Sequence, residues 1–343
     1  MKRVIPVVAT LKTIFRNLKL IRMINFDPHS KIGPLRVAVC PTSACNYQCV
    51  FCGAHSYLMK TRVESENVNF FFLNKALKQL RYIGTDNLFW CGNGEPTLSQ
   101  GMMDFININE YGYRNDILTN GSMLHKIDRV TFSNISVLTI SLNSGNGKSH
   151  QLTHHYKGEN QFPKIVDNIK RLLTYPNGQR KISINYVITK DNRNELEDLD
   201  KMCSEWGIKY SARPIDGSLP ELNDLKLDGQ DAVKILDACY IGFIQYYIPV
   251  NGDVLICCGF INMPLGNIFK DNFRDIWVRT RNMRLQAVAM DKTQVPLALG
   301  CQGCANATAS RVAFHSVYSR IPLLSRWKEK MVSLSEGEQI KST

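Results

Sequence analysis

No run of eighteen apolar residues occurs in the 343-residue chain, which excludes an ordinary membrane-spanning helix. The N-terminal MKRVIPVVATLKTIFRNLKLIRMINF lacks both a continuous apolar stretch and a small-residue cleavage site, so it does not read as a secretory signal. Internal repeats and low-complexity tracts are missing, and an apolar content of 44% is ordinary for a soluble globular chain. Acid is scarce: 30 Asp and Glu face 42 Lys and Arg, for a net charge of +12. That balance favours an anionic substrate, a polyanion or an anionic membrane surface. The basic residues are scattered, with no arginine-rich or aromatic-interleaved platform, so specific nucleic-acid binding is not expected. An even set of cysteines is lacking too, since the total is eleven. In a chain this long that argues against a disulfide scaffold. A reducing cytoplasm is the expected location, and there clustered thiols mean metal or redox chemistry.

What is present is alternation. Residues 1–34 form a basic amphipathic leader, with Lys12, Arg16, Lys19 and Arg22 set among Leu11, Ile14, Phe15, Leu18 and Ile21. It is expected to pack on the main domain or a partner, or to lie on anionic lipid. From Leu35 onward, short β-branched segments read as strands: LRVAVCP, NLFWCG, YRNDILT, ISVLTISL, KISINYVI and IKYSARPI. Between them FFFLNKALKQLRYIG, GMMDFININEYG, MLHKIDRVTF, PKIVDNIKRLLTY and NELEDLDKMCSEWG read as helices, the last capped by Asn194 and stopped by Gly207. Six strand–helix units over 35–215 predict an α/β fold with parallel strands in a partial (β/α)6 barrel. The chemistry of such folds sits on loops at the carboxyl ends of strands. Residues 216–235 read as a linker and 236–310 as a small α+β domain with a β-hairpin turning at Asn251-Gly252. Residues 311–343 read as a helix and frayed tail.

The loop after the first strand holds CNYQCVFC, three thiols within eight residues. Soft thiolates so close together select an iron–sulfur cluster, zinc or copper(I). A structural zinc site wants four ligands, usually as two pairs, and this loop offers three. Three thiolates on a cubane leave one iron open to a small molecule.

The pattern Cys45, Cys49, Phe51 and Cys52, C-x3-C-x-aromatic-C, resembles the signature of the radical S-adenosylmethionine (radical SAM) superfamily. CGNGEPTL resembles the superfamily's GGEP motif, with Asn93 in place of the first common glycine. The resemblance implies that the Gly94 carbonyl and Glu95 hold the methionine ammonium of SAM while Pro96 fixes the turn. It also implies ribose or carboxylate contacts from Ser141 and Asn143, and adenine contacts along Val187 and Ile188. Arg213 is expected to pair with the SAM carboxylate. Farther on, Cys239, Gly252 and Cys257 resemble the opening of SPASM and twitch auxiliary-cluster domains, and Cys301 and Cys304 complete a set of four thiolates. No cysteine follows Cys304, so one auxiliary 4Fe–4S cluster is expected.

The implied activity is reductive cleavage of SAM to a 5′-deoxyadenosyl radical that takes hydrogen from substrate, with electrons from a flavodoxin- or ferredoxin-type donor. A small molecule such as a sugar, aminocyclitol or nucleoside-derived metabolite is the first expectation. Dehydrogenation follows if the second cluster accepts an electron, and epimerisation if a thiol returns hydrogen, with Cys258 and Cys91 as candidate donors. A peptide- or protein-modifying enzyme is the alternative, set back by the 44 residues before Cys45, too few for a separate peptide-recognition domain. A third reading is a non-catalytic zinc or iron–sulfur module that binds RNA.

Overall fold

A computed structural model describes residues 33–59, 63–215, 220–227, 241–258, 264–281 and 283–284. The leader, the stretch 228–240 that carries Cys239, and everything from 285 on, including Cys301, Cys304 and the tail, lie outside the described residues.

All six expected strands form: β1 Arg36–Val39, β2 Asn87–Trp90, β3 Arg114–Thr119, β4 Ile135–Ser141, β5 Ile182–Ile188 and β6 Lys209–Pro214. They run parallel, in the spatial order β6-β5-β4-β3-β2-β1. Because spatial order follows chain order, the sheet is wound in one direction, as in a barrel, and no switch point interrupts it. A seventh strand, β7 Gln245–Ile248, adds in parallel to the free edge of β1, with Val39 opposite Ile248. The two edge strands, β6 and β7, do not pair with each other, so the barrel stays open among the described residues.

Helices cover one face. They are α1 Phe70–Tyr82, α2 Gln100–Ile108, α3 Arg129–Asn134, α4 Gly147–His154, α5 Phe162–Leu173, α6 Gly178–Lys181, α7 Leu196–Trp206, α8 Ile241–Ile244 and α9 Phe273–Arg279. Period-2 alternation sends Val37, Val39, Leu88, Trp90, Leu138 and Ile140 into the core beneath the helices. Helix α5 answers with Ile165, Ile169 and Leu172, one apolar stripe, and α1 with Leu73, Ala76, Leu77 and Leu80. Ile169 is fully buried. Ile169→Ala is therefore expected to cost about 2–5 kcal/mol, read as a lower denaturant midpoint at unchanged slope.

Four details differ from the sequence reading. The helix expected over MLHKIDRVTF breaks into a 3₁₀ turn, Leu124–Lys126, and α3, because Asp128 caps the latter by accepting from Thr131 N at 2.7 Å. Asn194 is not the cap of α7; it lies inside a 3₁₀ turn, Arg193–Glu195, and Glu195 occupies the cap position without a side-chain bond. Gly207 does end the helix, at φ +66°. The hairpin closes farther from its tip than Asn251-Gly252 suggests, where Tyr247 and Leu255 exchange both backbone bonds at 2.9 Å, and Gly252 (φ +78°) takes the left-handed turn position. Helix α4, and the one-turn helices α6 and α8, have no counterpart in the sequence reading.

Candidate functional site

The carboxyl ends of β1 to β6 carry the loops that matter. After β1 the chain runs through Pro41 to Met59. Its start is fixed by Thr42 Oγ1 and Ser43 N, which donate to Glu66 O at 3.0 and 2.9 Å. The thiols of Cys45, Cys49 and Cys52 are free and half-buried. A tight turn, Cys52 N to Cys49 O at 2.9 Å, brings the last two together, and Cys52 Sγ accepts from Ala54 N and His55 N at 3.4 Å. Burial pushes the Cys45 thiol up to about 11, with Glu95 and Cys52 adding to it. Burial raises Cys49 well above the usual thiol range, helped by Cys52 and Cys45. Three thiolates here would repel one another, and a cationic metal centre would relieve them. Cys40 stands apart: it is buried on the β1 end and donates to Thr42 O at 3.3 Å. Among the described residues, no three His, Cys, Asp or Glu side chains sit tightly enough to share one metal ion.

The loop after β2 locks onto that loop. A Cβ on Gly94 would come within 2.5 Å of Ala44 O and 2.7 Å of Ser43 C, so only glycine permits the approach. Glu95 N donates to Ala44 O at 2.8 Å. Asn93 is exposed and has an ordinary φ, which explains why this position tolerates a side chain. Pro96 opens a 3₁₀ turn, Pro96–Leu98, capped by the Glu95 carboxylate.

Glu95 itself is 2% exposed. Its Oε1 accepts from Thr97 N at 3.0 Å, from the Thr97 hydroxyl, and from the Thr119 hydroxyl at 2.6 Å. Among the described residues, its Oε2 accepts only from Asn120 N, at 2.6 Å. A carboxylate offers about four lone-pair positions. One direction on Oε2 therefore remains for an ammonium. Burial pushes the Glu95 pKa up, and the bonds from Asn120, Thr119 and Thr97 oppose that push.

Thr119 and Asn120 had no role in the sequence reading. Asn120 Nδ2 also donates to Asn46 Oδ1 at 2.9 Å, so the β3 end grips both Glu95 and the cysteine loop. A Thr-Asn-Gly-Ser at a strand end was the available signal.

The remaining expected SAM contacts are arranged less uniformly. Ser141 Oγ faces Asn185, which donates to it at 3.2 Å. Asn143 is buried at φ +51° with its amide engaged at both ends: Oδ1 accepts from Val187 N at 2.8 Å and Nδ2 meets His154 Nε2 at 3.2 Å. Val187 and Ile188 line the β5 end, and Arg213 lies opposite Val187 on β6, exposed and without an ion pair among the described residues. Phe51 packs with Val50, Leu58, Met59 and Val187 under Ile215, Leu222 and Leu225, an apolar cover over the cysteine loop. Missed altogether were His150 and His154 on α4, both fully buried. Their i, i+4 spacing was the signal, but α4 has no apolar stripe to announce a helix.

Of the thiols considered as hydrogen donors, Cys91 sits half-buried at the β2 end, with burial raising it well beyond the usual range and the Arg36 guanidinium opposing that push. It is therefore an S–H at neutral pH. Cys258 is exposed, and Cys257 packs partly against the main core.

A family model described as the radical SAM superfamily matches residues 39–203, and a second, the SPASM iron–sulfur cluster-binding domain, matches residues 239–305. GTP 3′,8-cyclase of Vibrio parahaemolyticus is 27% identical over 176 residues, 49% of this chain and 49% of that protein. A probable GTP 3′,8-cyclase of Sulfurisphaera tokodaii is 25% identical over 187 residues, 52% of this chain and 54% of that protein. The chain thus spans about half the length of these cyclases. The sporulation killing factor maturation protein SkfB of Bacillus subtilis is 22% identical over 288 residues, 75% of this chain and 68% of that one. In fold the chain is similar to Streptococcus suis SuiB bound to the precursor peptide SuiA, with a TM-score of 0.57 at 17% identity over 80% of this chain and 71% of that one. The motif order, the open parallel sheet and both family models agree: the chain belongs to the radical SAM superfamily, with SAM and a 4Fe–4S cluster as cofactors and a SPASM domain for an auxiliary cluster.

Proposed function

We propose that Cys45, Cys49 and Cys52 hold the SAM-binding cluster and that the enzyme takes hydrogen from a polar small molecule of sugar, aminocyclitol or nucleoside type. When bound, cluster and SAM supply a one-electron cleavage that yields the hydrogen-abstracting 5′-deoxyadenosyl radical. The chain's own residues do the placing. Glu95 receives the ammonium on its open Oε2 direction, Gly94 lets the two loops close, and Arg213 waits for a carboxylate. The cover formed by Phe51, Ile215, Leu222 and Leu225 keeps water from the cysteine loop. Cys239, Cys257, Cys301 and Cys304 are the proposed ligands of one auxiliary 4Fe–4S cluster, and a flavodoxin- or ferredoxin-type protein the proposed electron donor.

The observation that carries the substrate reading is the face of the sheet turned away from the helices. Leu138 and Ile140 point into the core, so Thr139 and Ser141 point the other way, where they meet Ser183 at 3.1 Å and Asn185 at 3.2 Å. Asn87 and Asp116 form a separate polar pair on that face, 2.9 Å apart, with Phe89, Leu118 and Val137 set between. Pairs of hydroxyl and amide groups suit a hydroxylated ligand better than an apolar one. Dehydrogenation is the outcome if the auxiliary cluster takes an electron, and epimerisation if Cys91 or Cys258 returns hydrogen. Modification of a peptide is the second reading, favoured by the SkfB match across three quarters of the chain.

Iron analysis and product formation test this. Anaerobic protein should hold about eight irons per chain, two cubanes. Cys304→Ala should lower iron to about half while SAM cleavage stays measurable. Unchanged iron would remove Cys304 from the ligand set. A panel of hydroxylated metabolites should raise 5′-deoxyadenosine yield above the uncoupled rate. A response only to a peptide encoded beside the gene would move the assignment to the second reading.

A further inference from the structure

We propose that His154 is a positioning residue, which holds the SAM-facing ends of β4 and β5 in register with the cysteine loop through a one-directional chain of hydrogen bonds, Asn143 to His154 to His150 to Tyr156. The inference rests on the SAM-binding reading above and concerns side chains that reading leaves without a task.

The buried residues of α4 are polar: His150, Thr153 and His154. Buried polar groups persist where they are bonded, and here the bonding has one consistent direction. Val187 N donates to Asn143 Oδ1, which fixes the amide's orientation. Asn143 Nδ2 can only donate, so His154 Nε2 accepts from it at 3.2 Å. The ring proton of His154 is then on Nδ1, which donates to His150 Nε2 at 3.1 Å. That places the His150 proton on Nδ1, facing Tyr156 Oη at 3.2 Å. Both rings must be neutral for this order to hold. Burial agrees, lowering His150 to about 4 and His154 well below the usual imidazole range, with His150 adding to the latter.

His154 also holds the other side of the site. Its ring stacks on Tyr47 at 5.3 Å and meets Phe51 edge-on at 6.3 Å, and Tyr47 lies between it and Tyr156 at 4.7 Å. The last carbonyls of α4 are taken up by loop amides: His154 O accepts from Gln48 N at 3.1 Å and Thr153 O from Val50 N at 2.9 Å. These amides lie between the proposed cluster cysteines. On the strand side, Asn143 needs holding, since its backbone is left-handed. Asn192 Nδ2 bonds Asn143 O at 3.1 Å and Val187 O at 2.9 Å, and His154 secures the side chain. One residue thus ties the loop that carries the three thiols to the strand ends where the adenosyl group is expected.

The test compares His154→Phe, which keeps a ring against Tyr47 but removes both ring hydrogen bonds, with His154→Gln, which can still accept from Asn143 and donate to His150. Both are measured as anaerobic holoenzyme. His154→Phe should retain wild-type iron, bind SAM about tenfold more weakly, and exchange the Val187 amide faster, while amides of β1 and β2 are unchanged. His154→Gln should recover SAM binding to within about twofold of wild type. SAM affinity unaltered in His154→Phe, or equal loss in both variants, overturns the proposal. Should His154→Phe lose iron, Tyr156→Phe cuts the chain at its outer end. A loss of SAM affinity of about twofold to threefold is expected there, and no change overturns the proposal. Because SAM binding is read directly, a wild-type enzyme that binds but never cleaves SAM refutes the functional reading and leaves this inference standing.

Discussion

Cys49→Ala, prepared without oxygen and reduced, is expected to form no 5′-deoxyadenosine above background. The three loop thiols have no understudy among the described residues. Cys40 is the nearest in sequence, but it is buried in the strand end with its Sγ given to Thr42 O at 3.3 Å. Cys91 keeps company with Arg36, Cys40 and Cys258 rather than with the trio. A cubane that needs a protein thiolate on each of three irons would not be retained by two, so both the iron count and the product should fall together. The auxiliary cluster should survive, leaving about four irons per chain. If the variant still makes product at a tenth of the wild-type rate or more, the assignment of Cys49 as a ligand is wrong.

Glu95→Gln is expected to raise the dissociation constant for SAM about a hundredfold, roughly 2.8 kcal/mol at 1.4 kcal/mol per decade. The change is isosteric, so packing is not the cause. Each carboxylate oxygen accepts from a backbone N–H, Thr97 N on Oε1 and Asn120 N on Oε2. Whichever way the new amide turns, its NH₂ group faces one of those fixed donors, and a buried bond is lost. The charge that pairs with the ammonium is lost as well. Iron content should stay at the wild-type value, since Glu95 touches the cysteine loop through its backbone. A pH series adds a check. Burial raises the Glu95 pKa, and the ammonium needs the ionised form, so SAM affinity should fall on acidification at a higher pH than an ordinary carboxylate would dictate. Equal SAM affinity in Glu95→Gln would remove this residue from the site.

The strands were legible because β-branched alternation is a local property, and each of the six lies within the stretch that its residues suggested. The cysteine loop was legible because its chemistry is packed into eight consecutive residues. The grip of Thr119 and Asn120 on Glu95 was not, since the partners are 24 and 25 residues apart and the sheet alone brings them together. Helix α4 escaped because its buried side is histidine and threonine, so no apolar period marks it. Asn143 was read as a ligand contact from its motif. The structure engages its amide with Val187 and His154, partners 44 and 11 residues away that no motif announces. The seventh strand was invisible as such, because a hairpin segment gives no sign that its first strand will join a parallel sheet 200 residues upstream in the chain.

That seventh strand fixes a length. β7 runs beside β1 with Ile248 level with Val39; six residues past Val39 comes Cys45, and nine past Ile248 comes Cys257. Under the ligand assignment proposed above, one ligand of each redox centre, Cys45 and Cys257, is thus tethered to one of two adjacent paired strands, and strand pairing sets the spacing of those two tethers.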